Sequence, residues 1–218
     1  MDTWDAFQQL LDDAVGYLKT GFRDRRPPAP PAWRSLDEVS REVVSCTRCR
    51  LHRGRKNAVP GEGNPHADIL LVGEGPGAEE DLQGRPFVGK AGQLLTRMLA
   101  AIELTREEVF VTNIVKCRPP QNRNPLPDET EACFPYLQGQ IELLDPVVIV
   151  CLGGPAAQRL TGSELGITKL RGRFHHFLGY PVLPTYHPAA VLRFPEKYKR
   201  PVWNDLKMLR DFYRGIRA

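Results

Sequence analysis

A chain of 218 residues with 41% hydrophobic and 26% charged residues can bury one sizeable domain, which excludes fibrous, collagen-like and low-complexity classes. Its 30 lysines and arginines against 26 acids give a formal charge of +4, a lean towards a polyanionic partner that many enzymes of neutral substrates share. No stretch approaches the roughly 20 apolar residues needed to span a bilayer. The start of the chain, with Asp2 and Asp5, has no apolar core of signal-peptide length. The expectation is a cytoplasmic, nucleoid-associated protein with no membrane partner, where five cysteines point to metal binding or catalysis before disulfides.

In chain order, Trp4, Phe7, Leu10, Leu11, Ala14 and Leu18 recur at helical steps, and prolines 27, 28, 30 and 31 follow in a stiff, extended segment. Residues 1–34 therefore read as an appended helix on a proline-rich linker, and 35–218 as the main domain. Asp68–Val72 is a short apolar run ending in a glycine turn, hence a buried strand. Gly92–Ile102 has helical periodicity, and Val109–Val115 is β-branched and apolar, a second strand. A helix starts at Asp128, with Glu131 in its first turn, and runs to about Leu144. Pro146–Leu152 is a third strand, Ala156–Leu160 a short helix and Tyr180–Tyr186 a fourth strand. Helix then covers most of Ala189–Ile216, with interruptions expected near Pro195 and Pro201.

Nearly all-apolar strands alternating with helices predict an α/β fold: a three-layer α/β/α arrangement around a central, mainly parallel four-stranded sheet. Ligands of such sheets sit at the carboxyl ends of the strands. Those ends hold Gly73-Glu-Gly-Pro-Gly77, Thr112-Asn113, Gly153-Gly154 and His187-Pro188, which predicts one cleft.

Cys46 and Cys49 form a C-x-x-C pair, Cys117 follows the second strand and Cys133 lies one segment further on. Cys151 is embedded in an apolar strand and reads as a core residue. Four cysteines outside the regular core can hold zinc or an iron–sulfur cluster, and spacing alone leaves both open, beside the bland alternative of four unrelated thiols. The glycine loop fails the dinucleotide pattern: its third glycine comes one residue early and no helix is expected to start on it.

The ordered set decides more. Gly73-Glu-Gly-Pro-Gly77, Gly84-Arg-Pro-Phe-Val-Gly-Lys-Ala-Gly92, Thr112-Asn-Ile-Val-Lys-Cys-Arg-Pro-Pro120 and His187-Pro-Ala-Ala-Val-Leu-Arg193 resemble the family-four, iron–sulfur uracil-DNA glycosylases over roughly Cys46 to Arg193. The resemblance implies a monomeric base-excision enzyme that releases uracil from single- or double-stranded DNA without a lyase step. It also implies a structural 4Fe-4S cluster on Cys46, Cys49, Cys117 and Cys133.

By the same resemblance Gly73, Glu74 and Gly75 line the uracil pocket, Phe87 stacks on the base and Asn113 holds its edge. His187 lies near uracil O2, where negative charge grows as the base departs. The best-known branch carries an aspartate where this chain has Gly75, which leaves Glu74, Glu79 and Glu80 as catalytic candidates, Glu80 also as a guard against thymine's methyl group. Val191 and Leu192 are expected to wedge into the stack and Arg193 to meet a phosphate.

Two other classes compete. A uracil-DNA-trapping protein would need a histidine in the loop after the second strand, and none occurs between His66 and His175. A noncatalytic iron–sulfur DNA-binding module explains the cysteines and charge but gives Phe87, Asn113 and His187 no task.

Overall fold

The computed structural model describes residues 32–217, so the helix and most of the linker expected in residues 1–34 lie outside the described residues. Chain order within them is α1 (Leu36–Ser45), β1 (Glu62–Gly63), β2 (Ile69–Gly73), α2 (Ala78–Gln83), α3 (Lys90–Ala100), β3 (Phe110–Asn113) and α4 (Pro127–Leu144). It continues with β4 (Val148–Leu152), α5 (Gly154–Thr161), α6 (Ile167–Leu170), β5 (His175–Phe177), β6 (Tyr180–Thr185), α7 (Pro188–Arg193) and α8 (Pro195–Arg217). Among the described residues, no helix is long and apolar enough to cross a membrane.

The sheet has six strands in the order β1-β3-β2-β4-β6-β5. Its four central strands are parallel, as their unbroken apolar character predicts. The two extra strands, β1 and β5, are antiparallel edges. They escaped the sequence reading because β1 spans two residues and neither edge carries a buried apolar run.

Alternation along the strands divides the core. Leu71, Val111 and Val150 face α3, α7 and α8 through Leu95, Leu99 and Leu206. Leu70, Phe110, Ile149 and Cys151 face α4 and α5 through Leu137, Ile141 and Leu160. A third cluster joins Val39 and Val43 of α1 to Cys117, Cys133 and Tyr136. Trp33 stacks on Tyr136 at 5.5 Å and lies so close to Gly139 that a Cβ there would come within 2.4 Å of its ring. Trp33, on the linker side of the boundary expected at 34/35, thus packs against α4.

Two further expectations are corrected. A helix does start on the glycine loop: α2 begins at Ala78, and Glu80 at its third position accepts a bond from the Gly77 N–H. The last helix breaks at Phe194-Pro195 but runs through Pro201. One missing backbone donor is outweighed there by Val202, Leu206 and Leu209, which hold α8 against the core.

Candidate active site

Gly73 pairs in register with Asn113 across β2 and β3, at the point where the chain goes to opposite sides of β2 for β3 and β4. Such a switch point opens a crevice beyond the strand ends. Here it is a cleft of about 460 Å³, lined among others by Glu74, Gly75, Phe87, Asn113, His187 and Arg193. Three of the four predicted strand ends thus converge. The fourth, Gly153, stands behind the cleft, where an added Cβ would meet the His187 side chain at 3.2 Å.

The glycines serve close approach. A Cβ on Gly73 would lie 2.4 Å from Asn113 Oδ1 and 2.6 Å from the Phe87 ring, and one on Gly75 would lie 2.8 Å from Val115. Phe87 sits with φ +52°, a left-handed conformation that costs a bulky residue about 1–2 kcal/mol. Its loop is over-determined. Arg106 donates to the Pro86 and Phe87 carbonyls, while Glu80 Oε1 accepts from the Val88 and Gly89 N–H groups at 2.9 Å. The ring ends up buried against His187, with centroids 5.6 Å apart. Glu80 lines the cleft, yet its carboxylate is engaged by three backbone donors.

Gly92 makes this loop possible, since a Cβ there would come 1.7 Å from the Phe87 carbonyl oxygen. Gly92→Ala is expected to destabilise the protein by about 1–3 kcal/mol, the usual size of an overpacking defect. Urea unfolding reads that loss, and a wild-type midpoint would show that the loop yields freely.

Asn113 is 1% exposed, and its Oδ1 is buried without a hydrogen-bond partner among the described residues. Buried acceptors are ordinarily paired, and an orphan costs about 1–3 kcal/mol unless a ligand completes it. His187 caps α7: its Nδ1 accepts from the Ala189 N–H at 3.1 Å. That bond places the ring proton on Nε2, making a neutral donor. Burial pushes the imidazolium down to about 4, against the pull of Glu80. Glu74 faces the cleft, and burial raises its carboxyl above the ordinary range.

Of the predicted wedge, Val191 is 8% exposed and sits in the core, whereas Leu192 is 44% exposed. Adjacent residues of α7 point to different sides, so of the two only Leu192 stands exposed. Arg193 lines the cleft. Sequence reasoning missed Asn122, Arg123 and Asn124, which also line it. Their loop is strapped by buried Glu129, which takes both Arg123 nitrogens (2.8 and 2.7 Å) and the Leu126 N–H at 2.8 Å. The signal available was that this loop joins two of the four clustered cysteines.

Cys46, Cys49, Cys117 and Cys133 line one cavity with Arg48, His52, Lys116 and Tyr136. Among the described residues, no three Cys, His, Asp or Glu side chains converge as ligands of a single ion. Three of the sulfurs already receive N–H donors: the Arg48 amide to Cys46 (3.4 Å), Arg55 Nη1 to Cys117 (3.0 Å) and the Lys116 amide to Cys133 (3.3 Å). Burial raises the thiols of Cys49 and Cys117 and pushes Cys133 up to about 12, so thiolates there need a metal's charge.

The family model of the Uracil DNA glycosylase superfamily matches residues 60–207. A type-4 uracil-DNA glycosylase of Archaeoglobus fulgidus is 50% identical over 170 residues, covering 74% of this chain and 85% of the relative. Type-4 uracil-DNA glycosylases of Saccharolobus solfataricus and Thermotoga maritima are each 46% identical, over 84% and 82% of this chain and 85% and 95% of their own lengths. With motifs, strand-end cleft and sequence in agreement, the chain belongs to the uracil-DNA glycosylase superfamily and, within it, to the type-4 group.

Proposed function

We propose that this chain hydrolyses the N-glycosidic bond of uracil in DNA, releasing the base and leaving an abasic site, with no lyase step. The observation that carries the reading is the orphaned Asn113 Oδ1, a buried acceptor in a cleft beside Phe87 and His187. A uracil flipped into that cleft brings N3–H to Oδ1 and O4 to the amide, whereas cytosine presents the reverse pattern. Phe87 stacks on the flipped base. His187 Nε2–H meets O2 as the bond breaks, stabilising charge that exists only on the way to the transition state. Glu74 orients the water that captures the oxocarbenium-like sugar. Glu80 acts through the loop it holds, fixing the wall that excludes thymine's methyl group.

Residues 35–218 form the glycosylase domain in this reading, acting as a cytoplasmic monomer on single- or double-stranded DNA near the nucleoid. Leu192 fills the space left by the base, and Arg193 meets a flanking phosphate. Cys46, Cys49, Cys117 and Cys133 would hold a four-iron cluster. Their lining of one shared cavity and the chain's place in the type-4 group support that reading. Bound there, the cluster ties α1, the 118–126 loop and α4 together.

The test is a labelled oligonucleotide containing one uracil, treated with alkali after incubation. Alkali-dependent scission under multiple turnover is expected. An unbroken strand in the presence of folded, DNA-bound protein would make the chain a binding module instead.

A further inference from the structure

Lys116 stands between the cysteine cavity and the uracil pocket. Its side chain is 1% exposed and lines the cavity of the four cysteines, and its backbone N–H donates to Cys133 Sγ at 3.3 Å. Its Nζ donates to Thr112 Oγ1 (2.5 Å), the Gln140 side-chain carbonyl (2.6 Å) and the backbone carbonyl of Asn113 (2.9 Å). The Thr112 hydroxyl has one proton, directed at the carbonyl of Pro60 or of Gln140, so towards Lys116 it can only accept. Three acceptors surround three protons, which is the arrangement of an ammonium ion.

Among the described residues Lys116 makes no salt bridge, and the titratable group that faces it is Cys133. A buried ammonium without a counter-charge is costly, so one held by three acceptors calls for an anion nearby. Four thiolates outweigh the positive charge of a four-iron core, so a bound cluster is an anion in the right place. Gln140 completes the link, because its amide donates to the Pro60 carbonyl at 2.8 Å and so fixes its own carbonyl towards Lys116.

We propose that Lys116 is the internal counter-cation of the cluster and a positioning residue for Asn113, so that cluster binding sets the geometry with which the base edge is read. The inference rests on the cluster reading given above. A fixed cation beside an anionic centre favours the reduced form, so its removal lowers the reduction potential. The same removal frees the Asn113 carbonyl and the Thr112 hydroxyl at the end of β3.

The test compares the full wild-type chain, isolated anaerobically, with Lys116→Met and Gln140→Glu. Iron and sulfide per chain, the potential from a redox titration, and kcat and KM on a uracil oligonucleotide are measured for each. In Lys116→Met a lower potential is expected, together with a fall in kcat of roughly tenfold or more, the usual cost of losing an outer-shell partner of a metal site. KM for the DNA stays near wild type, because the strand docks before the edge is read. Gln140→Glu is isosteric and gives Lys116 a carboxylate partner, so the potential falls there too; this variant carries the test if Lys116→Met does not fold. Cluster-loaded variants with wild-type potential and wild-type kcat would overturn the role of Lys116 while leaving the cluster in place. A wild-type chain without iron would overturn the cluster reading and this inference together.

Discussion

Replacing Asn113 by Ala is expected to cut kcat/KM for uracil excision by roughly a thousandfold or more, because a site built around paired polar groups loses far more than one contact when they vanish. Asn113 ends β3 in register with Gly73, whose lack of a Cβ leaves room for an Oδ1 that has no partner among the described residues. Burial of the side chain confines the amide before the base arrives. Alanine removes both the acceptor for N3–H and the donor for O4, so uracil loses its advantage over cytosine. Affinity for uracil-free DNA should stay within about twofold, since phosphate contacts supply non-specific binding. Single-turnover kinetics and fluorescence anisotropy measure the two quantities. A loss below tenfold would show that Asn113 does not read the base.

Replacing His187 by Ala is expected to lower kcat by about a hundredfold to a thousandfold, the typical cost of one donor aimed at developing charge, with KM close to wild type. The pH dependence follows from the same geometry. With its imidazolium pushed down to about 4 from the ordinary 6.5, His187 is the same neutral Nε2–H donor from pH 5 upward. Wild-type kcat/KM should thus show no histidine-like step near pH 6.5. Between pH 6.5 and 4 the unfolded chain binds a proton that the folded site refuses. The contribution of His187 to stability is therefore complete above 6.5 and lost as the pH falls through that window. Nitrogen NMR of the ring, recorded from pH 4 to 8, would settle the protonation state. An imidazolium at pH 6 would contradict the Ala189 N–H bond to Nδ1.

Much of this arrangement was legible in the chain. The runs at Asp68–Val72, Val109–Val115, Pro146–Leu152 and Tyr180–Tyr186 each mark one of the four parallel strands, because a strand covered on both faces has few polar positions to blur it. The edges β1 and β5 left no such mark, since one face of each is wet and pairing alone defines them. Pro201 was overvalued as a breaker: local propensity is a weak term beside the packing of Val202, Leu206 and Leu209. Val191 shows the opposite influence. An apolar residue near a functional motif looks free to meet a ligand until the fold claims it for the core.

By itself the sequence determined which residue types the chemistry can use: four clustered cysteines, glycines flanking an aromatic loop, an asparagine at a strand end and a histidine before a proline. Motif spacing encodes these because each is a local requirement on backbone and side chain. Tertiary structure alone decided their states. It gave Asn113 an acceptor with no partner among the described residues, gave His187 a single tautomer and a lowered basicity, locked Glu80 into the Phe87 loop, and buried the Lys116 side chain between cysteines and base pocket. Burial, register and hydrogen-bond completion depend on residues far apart in the chain, and no pattern within one segment carries that information.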